Sequence, residues 1–200
     1  MEAPQQEKKS DHFFKEILKA SLIAIIIVVP IRFYVAQPFV VSGASMDPTF
    51  ESGHYLIVDQ ISYRFNEPER GEVVIFKFPE DPSKFFIKRI IGLPGEGVVA
   101  RRGAVSIFNP LNPDGLELSE TYLTPSNTTS DSFSIELGED EYFVMGDNRR
   151  ASSDSRIWGP LPRELIVGRA FLRALPVTQI GVLPGDFSEL FTPLPIEIQN

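Results

Sequence analysis

The sequence predicts a mainly β protein, a coiled antiparallel sheet of barrel-like form, carried behind an N-terminal transmembrane helix. Three observations predict it. A single uncharged apolar run, ASLIAIIIVVPI at residues 20–31, lies near the start of the chain. After it, short runs rich in β-branched and aromatic residues alternate with turn signals, and no long 3.6-residue period follows. The chain also holds 14 glycines and 17 prolines, a share that favours turn-rich β structure over a helix bundle.

The apolar run comes first. It is apolar all round a helix rather than on one face, which suits lipid. Alone it is shorter than the usual span of about 20 residues. Extended over residues 13–35, it reaches spanning length if Lys15, Lys19 and Arg32 snorkel towards the interfaces. The following stretch, RFYVAQPF, has no small-residue cleavage pattern, so the segment reads as a retained anchor rather than a removed leader. Lys8, Lys9, Lys15 and Lys19 precede the run and Arg32 stands alone after it. That bias expects residues 1–12 in the cytoplasm, a single pass through the plasma membrane, and an extracytoplasmic domain over residues 36–183.

Within that domain, residues 55–58, 73–78, 85–91, 141–145 and 166–175 read as strands. SGHY, NEPERGE, FPEDPS and GLPGEG punctuate them. Residues 109–140, rich in Asn, Pro, Ser, Thr and Asp, read as an irregular insertion or small subdomain, and 184–200 as a loosely packed tail.

Composition removes several function classes. Apolar residues at 42% and charged residues at 23% give a globular chain, and 200 residues suffice for one domain plus an anchor. A net charge of −8 argues against nucleic-acid binding. With no cysteine, there is no disulfide, thiolate metal site or cysteine nucleophile. His12 and His54 are the only histidines, too few for a multi-histidine metal site; no cofactor is expected.

Two segments carry candidate chemistry. In SGASMDPTF, residues 42–50, Ser45 follows Gly43 and Ala44, where the backbone can turn tightly and approach a substrate. In KFFIKRIIGLPGE, strand alternation puts Lys88 on one face with Phe86 and Ile90, and Arg89 on the other. A free lysine at pH 7 lies about 3.4 units below its pKa, so deprotonation costs roughly 4.6 kcal/mol. Apolar burial can shift a lysine by up to about 3–5 units, enough to remove that cost. The neutral amine can then accept the proton of a serine hydroxyl. A third segment, GDNRRASSDSRIWG, residues 146–159, is dense in hydrogen-bonding groups. It lacks EF-hand spacing and reads alone as a structural network around Asp154 and Arg156.

Together and in this order, the segments resemble the sequence boxes of bacterial type I signal peptidases. GASMDPT is similar to the nucleophile box, with Ser45 at the catalytic position. RGEVVIF, residues 70–76, is similar to the next box, with Glu72 where Asp is more usual. FIKRIIGLPGE puts Lys88 on the general base. GDNRRASSDSRIWG puts Ser152 on the serine that orients the lysine amine, and Asp147, Asn148, Asp154 and Arg156 on residues used structurally near the site. GRAFLRALP resembles the closing strand. The resemblance implies a membrane-bound serine endopeptidase that removes signal peptides from exported preproteins with small residues at −1 and −3. It implies apolar substrate pockets at Val41, Met46, Phe50, Phe86 and Ile87, and an oxyanion hole from the backbone of Ser45 and Gly43. The Gly43 position carries serine in some members. A self-cleaving regulator of the LexA type shares the fold and the dyad, but carries a DNA-binding helix-turn-helix where this chain has its apolar run. A non-catalytic membrane-tethered scaffold would have no need of a buried unpaired amine.

Overall fold

The computed structural model describes residues 6–30, 32, 36–124 and 127–187. A 25-residue helix, α1 (Gln6–Pro30), opens the chain. Residues 13–29 are exposed all along it, among them Ile23, Ile25, Ile26 and Ile27. No helix among the described residues is long and apolar enough to cross a membrane. The transmembrane helix expected over 13–35 is corrected to that extent. Lys15, Glu16 and Lys19 interrupt its first half, and residues 31 and 33–35 lie outside the described residues.

The strands form two antiparallel sheets. The larger has eight strands: β1 (Ala36–Val40), β2 (Tyr55–Asp59), β11 (Ile166–Leu175), β3 (Val73–Phe78), β4 (Asp81–Gly92), β9 (Glu141–Met145) and β10 (Leu161–Pro162) in that spatial order, with β12 (Gly181–Val182) on β11. The smaller has the order β7 (Asn112–Glu117), β6 (Ala104–Asn109), β5 (Gly97–Arg101), β8 (Phe133–Glu136). Neither sheet closes on itself, so the barrel-like form is replaced by an open one. The path runs from β1 at one edge to β10 at the other without a bond between them. Two strands, β7 and β8, form within residues 109–140, because β6 and β5 offer them paired edges; 118–132 stays irregular where described.

Both faces of the larger sheet are covered. β3 is buried over Val73–Phe76 and sends alternate side chains to opposite cores. Val74, Phe76, Ile90, Tyr142 and Val144 form one core, and Val73, Ile75, Met46, Phe50, Leu56 and Val58 another. The far end of β4 meets the smaller sheet, where Ile91 packs with Val98, Ile107 and Phe143.

β4 is the strand that matters for function. Over residues 81–89 it pairs with β3, and over 89–92 with β9. Its second edge therefore carries no strand along 84–88. β1 pairs with β2 alone. These two free edges face one groove.

Candidate active site

The serine is carried by a tight turn over residues 43–50. Asp47 N–H donates to the Ala44 carbonyl (3.2 Å) and Phe50 N–H to the Met46 carbonyl (2.9 Å). Gly43 takes φ +96°, a left-handed conformation that glycine adopts freely. Residues 146–148 hold the turn from beneath. Asn148 N–H donates to the Ser45 carbonyl and Asn148 Nδ2 to the Ala44 carbonyl, both at 3.0 Å. The approach is so close that a Cβ on Gly146 would lie 2.3 Å from the Ser45 carbonyl oxygen. Any larger residue there would push the serine away.

Lys88 stands opposite Val74 in the β3–β4 pairing and is 3% exposed. Its Nζ lies 2.7 Å from Ser45 Oγ, 2.9 Å from the Ile87 carbonyl oxygen and 5.3 Å from the centre of the Phe86 ring. No carboxylate forms an ion pair with it among the described residues. Burial pushes the amine down to about 8, against the weaker upward pull of the Asp154 and Asp147 charges. At that pKa about one amine in ten is neutral at pH 7, against about one in three thousand for a free lysine. The neutral amine retains an N–H for the Ile87 carbonyl and a lone pair for the Ser45 hydroxyl proton.

The GDN segment and Asp154 form the support. Asp154 is fully buried, caps α2 (Ser155–Trp158) and accepts from Gly146 N–H at 3.0 Å. Burial pulls its carboxyl up. The Arg156 guanidinium, bonded at 2.8 Å, and the Gly146 N–H outweigh that and hold it below the usual carboxylate range. No hydrogen bond joins Ser152 to Lys88 among the described residues; Ser152 Oγ is buried beside Gly146, where its hydroxyl helps to hold the Asp154 carboxyl down. The second hydrogen bond of the amine goes to the Ile87 carbonyl.

In front of Ser45 and Lys88 lies a groove of about 530 Å³, lined by residues 39–45 and 84–88 with Leu56, Ile75, Ala151 and Ser153. Of the expected pocket residues, Val41, Phe86 and Ile87 line it. Met46 and Phe50 do not: they are 1% and 0% exposed and belong to the core below. The turn that presents Ser45 points both side chains inward.

Sequence reasoning passed over Arg89 and Thr49. Arg89 is fully buried on the opposite face of β4. It donates to both oxygens of Asp147 (2.8 and 2.5 Å) and to the Gly71 carbonyl (2.6 Å), and its guanidinium carbon lies 4.1 Å from the centre of the Tyr122 ring. Thr49 Oγ1 donates to Asp147 Oδ2 at 2.6 Å. The signal was present: a strand buried on both faces cannot expose either member of a Lys-Arg pair, so Arg89 required an acid. Glu72, in the Asp position of its box, is buried too; it accepts from Tyr63 (2.6 Å) and Arg169 (2.9 Å). No group of three or more His, Asp or Glu side chains is placed to hold a metal ion among the described residues.

A hydroxyl within hydrogen-bond reach of a buried, unpaired amine, at the head of an open groove between two strand edges, is an arrangement suited to a Ser-Lys hydrolase. The sequence model of a family described as signal peptidase, peptidase S26, matches residues 14–175. A probable signal peptidase I-2 of Synechocystis is 38% identical over 91% of this chain and 83% of its own length. A signal peptidase I of Leptolyngbya laminosa is 37% identical over 88% of this chain and 87% of its own. The chain therefore belongs to the signal peptidase family, peptidase S26, and its function is that of a signal peptidase I, a serine peptidase that hydrolyses peptide bonds. A crystal structure of a signal peptidase I from Enterococcus faecalis matches 52% of this chain and 97% of that one at 29% identity, with a TM-score of 0.44.

Proposed function

We propose that Ser45 is the nucleophile and Lys88 the general base in the removal of signal peptides from exported preproteins. The 2.7 Å contact between a hydroxyl and a buried amine carries this reading. Neutral Lys88 takes the Ser45 proton as Oγ attacks the carbonyl carbon of the scissile bond. The resulting oxyanion is met by backbone N–H groups, Ser45 with Gly43 as the second. The ammonium then returns its proton to the leaving amine. Water, deprotonated by the same amine, attacks the acyl-enzyme, and the ammonium gives that proton to Ser45 Oγ as the ester bond breaks, which restores both groups.

The substrate enters as a strand. Residues 39–45 and 84–88 both run towards Ser45 and Lys88, each with an edge free of another strand. An extended peptide between them would bridge β1 to β4 and bond to both. Side chains at −1 and −3 share one face of such a strand and meet Val41 and Ile87, while Phe86 lines the groove from the other face beside Lys88. Met46 and Phe50 fill the space beneath, which keeps the groove shallow and favours small side chains.

Helix α1 supports the membrane half of the reading. Its exposed apolar side chains suit a phospholipid bilayer, and the Lys/Arg bias suits a single pass over residues 13–35 with the N-terminus cytoplasmic. Such an anchor would raise the effective concentration of the site where signal peptides emerge. Residues 36–183 would then be the extracytoplasmic catalytic unit.

The test is cleavage of a preprotein by the wild type, Ser45→Ala and Lys88→Ala. Both variants lose at least about a thousandfold in rate. Wild-type cleavage by either would end the dyad assignment. Extraction of membranes at high pH separates a spanning chain, which stays, from one bound at the surface, which leaves.

A further inference from the structure

Past the family match, which ends at residue 175, the chain turns back under the active site. Leu183 N–H donates to the Phe171 carbonyl (2.6 Å) and Asp186 N–H to the Leu183 carbonyl (3.1 Å), folding the segment against β11. The Gly185 carbonyl accepts from Arg89 Nη1. The Phe187 ring stacks on Tyr122 at 5.1 Å and lies 5.0 Å from the Arg89 guanidinium carbon. Gly185 has φ +73°, and a Cβ built on it would come 2.4 Å from Thr49 Cγ2. The backbone of this segment is thus pressed against the side chain of the serine-bearing turn.

We propose that residues 183–187 are a positioning element for Ser45, acting through the contact of Gly185 with Thr49 and the grip of the Gly185 carbonyl on Arg89. The route is short. Thr49 Oγ1 donates to Asp147, Asp147 pairs with Arg89, and the next residue, Asn148, holds the Ala44 and Ser45 carbonyls. A push on Thr49 moves the turn that sets the distance from Ser45 Oγ to Lys88 Nζ. The groove walls at 39–41 and 84–87 lie outside this route, so substrate affinity is spared. Misplacement of reacting groups by about 1 Å can cost on the order of a hundredfold in rate. The proposal rests on the Ser45–Lys88 reading.

Its test is a double-mutant cycle in the full-length chain with a preprotein substrate, comparing Gly185→Ala, Thr49→Ser and both together. Thr49→Ser removes Cγ2 and keeps the hydroxyl for Asp147. Gly185→Ala is expected to lower kcat about tenfold or more, with KM and the midpoint of the pH–rate profile unchanged. The double variant is expected to return to within about threefold of Thr49→Ser alone. The left-handed strain of alanine at position 185 is common to both backgrounds, so loss of stability alone cannot produce that recovery. Phe187→Leu, which removes the ring from Arg89 at similar volume, is expected to lower kcat about threefold and serves if Gly185→Ala does not fold. An unchanged kcat in a folded Gly185→Ala enzyme, or an equal loss with and without Thr49 Cγ2, overturns the proposal. If the wild type fails to cleave or survives Ser45→Ala, the dyad reading is what fails.

Discussion

Lys88 and Arg89 are neighbours in one strand, equally buried, and treated in opposite ways. Arg89 faces the core beneath the serine turn and meets Asp147, Gly71 and the Tyr122 ring. Lys88 faces the apolar layer of Phe86, Val74 and Ile90, and among the described residues its hydrogen bonds go to a hydroxyl and a carbonyl. A buried guanidinium bonded to a carboxylate acts as a structural rivet. A buried cation without one gives up its proton near pH 8 and becomes a base. One residue of strand alternation separates scaffold from chemistry.

The comparison breaks hardest at the amine. Lys88→Met should lose at least about a thousandfold in cleavage rate yet gain stability. The reason is linkage. Lys88 drops from an ordinary 10.5 to about 8 on folding, so the unfolded chain binds the proton more tightly. The amine therefore costs stability at neutral pH, and the cost shrinks as pH rises from about 8 towards 10.5. Thermal melts at pH 7 should place the variant above the wild type by about 2–3 kcal/mol, and by less at pH 10. A variant less stable than the wild type at pH 7 would remove the unpaired-amine account.

Arg89→Met tests the other half. It strands Asp147 without its cation in a fully buried site, and should cost about 3–5 kcal/mol. Denaturant titration measures this, and a loss below about 1 kcal/mol would mean that the pair is solvated in practice.

The pH dependence comes next in size. Below pH 8, kcat/KM should rise about tenfold per unit as Lys88 loses its proton, then level off. Steady-state rates from pH 6 to 10 give the limb directly; a midpoint near 10 would place Lys88 in solvent. The smallest effect belongs to Asp154→Asn, which keeps an acceptor for Gly146 and loses the charge facing Arg156. About 1–2 kcal/mol at pH 7 is expected. Because the Asp154 carboxyl sits below its usual range, wild-type stability from this pair is lost as pH falls through that lowered value. The two proteins should converge in acid.

Much of this was legible along the chain. The strands at 73–78, 141–145 and 166–175 match the predicted runs, because each is rich in residues that fit a pleated, half-buried surface. β1 and β5 were not anticipated: AQPFV and GVVAR are short, and their state depends on partners far along the chain. The resemblance placed Met46 and Phe50 in the pocket; they lie in the core instead, because which way a turn points a side chain is set by its packing. The resemblance implies that Ser152 orients the amine; the bond from Lys88 to the Ile87 carbonyl was not legible in the sequence, because a backbone partner leaves no residue-type signal.

The sequence alone determined which groups were available: one serine behind a flexible Gly-Ala step, one lysine in an apolar strand, a GDN segment dense in hydrogen-bonding groups and no thiol. Local pattern suffices for that, since period and turn chemistry act over a few residues. Only the tertiary structure decided that Ser45 and Lys88 meet at 2.7 Å, that Arg89 rather than Lys88 receives Asp147, and that the sheet stays open beside them. Those are contacts between residues tens of positions apart, and they follow from sheet register and burial, which no short stretch of chain contains.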